Sequence, residues 1–287
     1  MPFACAVTAG RIVCCIMEFA EYRERHGAVR GMIDDGLFDA AGDLVESLWD
    51  DLGASGGMLR GGRAALLAGL LARLMRESDS TRSRVARWRD SAGGAEGPPP
   101  GDLDLIRDWA GLNIVLGDSG RTLDWLLRME ADPRSLAVLF PLRGLFTQIL
   151  REAGRWAELA KWFPDPVTAV RGLHANVQGF LRQAESPALG WSPQRAAEVA
   201  AAYFRDRCAT VYAALLAGGR DSEAANVAEL AASLDAQPTA MRMALLAMAV
   251  SDAGQARQEH LRWLDESGDR GEMALELREK VERGLRP

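Results

Sequence analysis

RSLAVLFPLRGLFTQILREAGRWAELAKWFPDP, residues 134–166, holds an apolar run, a glycine turn and a second, shorter apolar run that stops at prolines. In the first run Leu136, Val138, Leu139, Phe140, Leu142, Leu145, Phe146, Ile149 and Leu150 recur at helical spacing. Ala153-Gly154 closes it. Trp156, Leu159, Ala160 and Phe163 share one face of a second helix, and Pro164 and Pro166, which cannot continue a helical hydrogen-bond ladder, end that one. The stretch reads as a helical hairpin. Degraded copies of it before and after predict an all-α fold, a stack of antiparallel helical hairpins.

Upstream, residues 18–34 and 37–51 form a first hairpin broken at Asp35-Gly36, and a glycine-rich joint, 56–62, leads into a Leu- and Ala-rich helix over 63–76. Residues 79–90 carry Arg82, Arg84, Arg87 and Arg89 around Val85 and Trp88. Residues 91–101, with Pro98-Pro99-Pro100 and several glycines, read as a semi-extended linker. Asp102 is the expected cap of the next helix, whose partner starts at Ser119 and stops at Asp132-Pro133. After the central hairpin comes a helix over 167–183, then a loop at 185–191. Ser192-Pro193 is a strong start signal, a serine cap followed by proline at the first helical position. Asp221 or Ser222 and then Thr239 are expected to cap the following helices. A last pair covers 255–266 and 272–283, with Met273, Leu275, Leu277 and Val281 expected to face inward as a capping helix. The chain therefore divides into an apolar segment of uncertain status (1–17), a helical N-terminal region (18–90), a Gly/Pro linker (91–101) and a helical-repeat domain (102–287).

Turn glycines at Gly117, Gly154, Gly219 and Gly254 are 37, 65 and 35 residues apart, which points to a repeat in the mid-thirties with one turn skipped. Gly219 is followed by Ala224, Ala228 and Ala231, and Gly36 by Ala41, Val45 and Leu48; Gly154 is followed by Leu159 and Phe163, and Gly117 by Thr122, Leu126 and Met129, then Pro133. In this the chain resembles the tetratricopeptide family of helical-hairpin repeats. It departs from the family after Gly254, where Glu259 and Glu266 occupy the small positions although Trp263 stands at the aromatic one. The resemblance implies a right-handed α-solenoid in which the first helix of each hairpin lines a concave groove. Polar residues one turn apart on those helices, Arg107, Gln148, Arg151, Arg171, His174 and Gln178, would then contact a partner segment, guanidinium and amide groups clamping a carboxylate or an extended backbone.

Composition narrows the function classes. The 287-residue chain is 48% hydrophobic and carries a formal net charge of −6, which argues against nucleic acid as the main partner. Lysine occurs only at Lys161 and Lys280, an Arg- and Ala-rich usage typical of a GC-rich, bacterial-type genome. Cys5, Cys14, Cys15 and Cys208 form neither a disulfide framework nor a zinc pattern, so a reducing cytoplasm is the expected setting. The opening apolar run carries Arg11, lacks a basic leader and is too short to span a bilayer, and Met17 offers an alternative start.

No phosphate-binding glycine loop, metalloprotease helix or nucleophile elbow is present, and His26, His174 and His260 lie in separate segments. No catalytic, metal-ligating or cofactor residues are assigned. The expectation is a non-enzymatic interaction or scaffold module with a protein or peptide partner. The alternative is a helical enzyme or small-molecule sensor with a pocket between hairpins near Trp109, Trp125 and His174. A third reading, nucleic-acid binding through Arg82 to Arg89, requires a steep salt dependence.

Overall fold

The computed structural model describes residues 19–55, 62–94, 96–184, 192–249, 255–268 and 271–284; the opening segment, most of the 56–62 joint, the 185–191 loop and the Gly254 turn lie outside them. The described residues form helices joined by turns and short loops, with no strand among them. The chain divides into two compact units, Met1–Ile149 and Leu150–Pro287, and the division falls within a helix rather than at the proline-rich stretch.

The first unit begins with α1 (Phe19–Asp34), α2 (Phe38–Ala54), α3 (Arg63–Glu77), α4 (Asp79–Gly93) and α5 (Leu103–Leu116). α1 pairs with α2, and α5 packs on both α3 and α4. Val29, Val45, Leu48, Leu67, Leu71, Leu74, Val85 and Leu112 are buried in their common core. Gly111 brings α5 close to α3: a Cβ there would sit 2.7 Å from that of Ala64. The arginine run on α4 ties helices together. Arg84 donates to the Gly42 carbonyl at 2.7 Å and pairs with Asp43 and Glu46, while Arg89 pairs with Asp118 at 3.3 Å. Trp88 stacks on Trp49 at 4.8 Å, the two rings parallel.

The proline-rich stretch is packed. Its first residues complete α4, Pro98 is buried, and the Trp125 indole N–H donates to the Pro98 carbonyl at 3.2 Å. Asp102 caps α5 as expected, accepting from the Leu105 N–H at 3.0 Å. α6 (Ser119–Glu130) follows, then α7 (Pro133–Leu139), capped by Asp132. The apolar run at the heart of the sequence is not one helix. Pro141 lacks an N–H and its ring crowds the preceding turn, so a 3-10 turn at Phe140–Leu142 separates α7 from α8 (Arg143–Glu152), which carries the division between units.

The second unit continues with α9 (Trp156–Leu159), α10 (Pro166–Ala184), α11 (Pro193–Ala217), α12 (Asp221–Leu234), α13 (Pro238–Met248), α14 (Gln255–Ser267) and α15 (Glu272–Arg283). α11 is its axis, packing on α9, α10, α12 and α13. Ser192 caps α11 through the Arg195 N–H at 3.1 Å with Pro193 in the first turn, as the sequence indicates. The expected caps of α12 and α13 are shifted. Asp221 opens α12 from within, and Thr239 yields to Pro238 at the start of α13. On α15, Ala274, Leu277 and Val281 are buried, but Met273 and Leu275 face solvent: Leu275 lies across the helix from that stripe, and Met273, four residues before Leu277, lies at its edge.

One turn recurs in both units. Gly36, Gly117, Gly154 and Gly219 all have φ between 68° and 76°, and in each case the next residue's N–H bonds the carbonyl five positions back, from Leu37 to Met32, Asp118 to Asn113, Arg155 to Leu150 and Arg220 to Leu215. This is the left-handed C-terminal cap that glycine supplies without a Cβ clash. The residues at the repeat offsets after these glycines, from Ala41 to Ala231, are buried, with Met129 half-buried.

Candidate functional site

An open cleft of about 610 Å³ lies in the second unit. Its walls follow from helical spacing. His174, Val177, Gln178 and Leu181 make one stripe of α10; Gln194, Ala197, Glu198, Ala201 and Arg205 make a stripe of α11; Leu234 to Gln237, where α12 ends, close the bottom. Small alanines on α11 leave the space that larger side chains would fill.

The end wall is an ion pair. Arg205 Nε donates to Asp235 Oδ2 at 2.7 Å and a terminal nitrogen donates to Oδ1 at 2.8 Å, with the Gln237 side-chain carbonyl accepting at 3.3 Å. Asp235 also accepts the Gln237 backbone N–H at 2.7 Å, which turns the chain from α12 into α13. Its side chain is 3% exposed, so the carboxylate depends on Arg205 for its charge balance. The bond to Asp235 holds the Arg205 guanidinium above its usual pKa. One turn along α11, burial and then the Asp235 charge push the Cys208 thiol up to about 12, so it carries no nucleophilic thiolate at neutral pH.

Among the described residues of the rim, Glu198 is the other carboxylate. His174 and Gln178 lie 3.3 Å apart through Nε2 atoms, and the His174 ring tilts on Phe204 at 5.7 Å. Gln194 donates to Glu198 at 3.1 Å. A second, apolar cavity of about 300 Å³ shares Val177 and Ala200 with the cleft and is bounded by Phe180, Val199 and the exposed Tyr203. Among the described residues no group of three or more His, Cys, Asp or Glu side chains is placed to hold a metal ion. The arrangement can hydrogen-bond and enclose a ligand.

The structure brings two of the residues singled out in the sequence, His174 and Gln178, into this cleft. Arg171 is exposed on the same helix but does not line it. Arg151 pairs with Asp206 at 2.8 Å and donates to Thr210 at 3.2 Å, so it joins α8 to α11. Arg107, paired with Asp104 at 3.0 Å, and Gln148 belong to the first unit. Trp109 and Trp125 are fully buried, packed edge to face at 5.9 Å, and form core rather than pocket. Reading the sequence missed Arg205, Asp235, Gln194 and Gln237. Arg205 and Asp235 are 30 positions apart, and only the packing of α12 on α11 makes them a pair. No helix among the described residues is long and apolar enough to cross a membrane. No protein-family model, curated protein or solved structure matches the chain.

Proposed function

We propose that the chain is a non-enzymatic interaction module, a tetratricopeptide-like array of helical hairpins that docks a protein partner in the cleft between α10 and α11. The cleft carries the reading. It is open to solvent, floored by Val177, Leu181 and alanines, rimmed by hydrogen-bonding side chains, and holds no nucleophile set against a base among the described residues. The recurrent glycine turn and the buried residues at fixed offsets after it support the array. A right-handed solenoid in a bacterial cytoplasm remains the architecture and setting this reading takes.

The test is capture of partners from the source lysate on tagged full-length chain, comparing wild type with Ala197→Trp. Ala197 is an exposed residue of the cleft wall, so the indole fills the cleft without entering the core. A partner held by wild type and lost by the variant at unchanged melting temperature supports the reading. Equal capture by both forms refutes the site, and capture by neither refutes the function.

The small-molecule sensor is the second reading, favoured by the apolar cavity of about 300 Å³ beside Phe180 and Tyr203. A thermal-shift screen of small apolar compounds distinguishes it: stabilisation abolished by Ala200→Phe supports a sensor.

A further inference from the structure

Residues 96–100, between α4 and α5, read Glu-Gly-Pro-Pro-Pro. Prolines have no N–H to give a helix or a ladder and favour an extended path, so only carbonyls and ring faces remain to hold such a run. Two side chains one turn apart on α6 hold it. The Trp125 indole N–H donates to the Pro98 carbonyl at 3.2 Å, and an Arg128 terminal nitrogen donates to the Glu96 carbonyl at 3.1 Å. Between these bonds Gly97, at a φ of 87°, passes so close to the indole that a Cβ there would overlap the Trp125 ring. Pro98 is buried beside a second indole: a Cβ on Gly93 would meet Pro98 Cδ at 2.6 Å and Trp109 Cδ1 at 2.9 Å. Proline against aromatic rings, with an indole N–H on a carbonyl, is the chemistry by which proline-rich ligands are held.

This strap is seated without being tied into the fold. Among the described residues, the main-chain hydrogen bond that residues 96–101 make outside themselves is from the Asp102 N–H to the Pro99 carbonyl, 3.4 Å long and at the strap's own end. The strap also has slack. α4 and α5 pack directly on each other, about 10 Å apart, whereas the chain from Gly94 to Asp102 reaches roughly 26 Å when extended. It can lift while both helices stay in place. Its cover is incomplete as well: the Trp109 indole nitrogen, fully buried next to Pro98, has no acceptor among the described residues. An occupant that reached both indole N–H groups would be held better than the strap, which reaches one.

With the strap in place the two indoles are core. We propose that the Trp109–Trp125 shelf of the first unit is a site for a proline-rich polypeptide, closed in cis by residues 96–100 and opened when a Gly-Pro-Pro segment of a partner takes their place. The site is separate from the α10–α11 cleft and does not depend on it. A short tether presents the strap at an effective concentration in the millimolar range. A free segment therefore binds the closed chain weakly, and its apparent affinity rises in proportion to the fraction of chains whose strap is open.

The experiment titrates the synthetic peptide Glu-Gly-Pro-Pro-Pro-Gly, the sequence of the strap itself, into the full chain by calorimetry. Gly97→Ala bars the strap from its seat, through both the positive φ and the overlap with Trp125. The expected result is binding at least about tenfold tighter to Gly97→Ala than to wild type, with the gain lost when Trp125→Phe is added and with a peptide carrying alanine in place of its first glycine. Equal affinity of Gly97→Ala and wild type overturns the inference, as does tight binding that survives Trp125→Phe, or no binding by Gly97→Ala. Should Gly97→Ala not fold, the wild-type chain decides: millimolar peptide is expected to move the indole N–H resonances of Trp109 and Trp125, and resonances that stay in place overturn the inference.

Discussion

At the scale of single residues, the second unit holds two buried polar groups whose removal has a calculable sign. Arg205→Ala leaves the Asp235 carboxylate buried without its cation, and breaking such a pair costs about 3 kcal/mol, the low end of its range because Arg205 retains partial exposure. Urea unfolding of the variant measures the loss, and a value under about 0.5 kcal/mol would mark the pair as an ordinary surface contact. His260 is fully buried, shares a 2.8 Å hydrogen bond with Tyr212, and burial lowers its pKa from 6.5 to about 4. Because the folded value lies below the unfolded one, the unfolded chain takes up the proton first. The stability that His260 contributes is therefore full above pH 6.5 and is lost as pH falls towards 4. Between pH 7 and pH 5 wild type should lose about 2 kcal/mol more than His260→Gln. Parallel curves for the two chains in urea would contradict the buried neutral imidazole.

Helices and turns show what local sequence can and cannot encode. The turn at Gly219 has φ of 69°, a conformation that costs an alanine about 1–2 kcal/mol, whereas Gly172 sits inside α10 with open space around it and gains about 1 kcal/mol of helix propensity as alanine. Thermal melts of Gly219→Ala and Gly172→Ala should thus move in opposite directions; movement of both upwards would mean that the turn is not left-handed. The helix starts at Asp102 and Ser192-Pro193 were legible because a cap is a contact across three residues. The continuous helix read over 136–150 was not real, since its apolar spacing masks the break that Pro141 imposes. Leu275 was assigned inward on hydrophobicity alone, and the 3.6-residue period places it outside, whereas Met273 has the spacing of the buried face and is exposed at its edge.

For the whole molecule, the all-helical class and the recurrent glycine turn could be read from residue spacing, because both are local. The candidate site was legible only in part. His174 and Gln178 share a helix face one turn apart, which a sequence shows; Arg205, Asp235 and Gln237 meet them through the packing of α10, α11 and α12, which it does not. The basic run from Arg82 to Arg89 resembles a binding patch in sequence, but Arg84 and Arg89 fasten neighbouring helices in the first unit. The central claim is that the α10–α11 cleft is where a partner segment lies. Hydrogen–deuterium exchange on the full chain, with and without a captured partner, tests it most directly. The account predicts added protection over residues 174–181, 194–205 and 234–237 and none elsewhere. Protection confined to other helices, with these three segments unchanged, would contradict it.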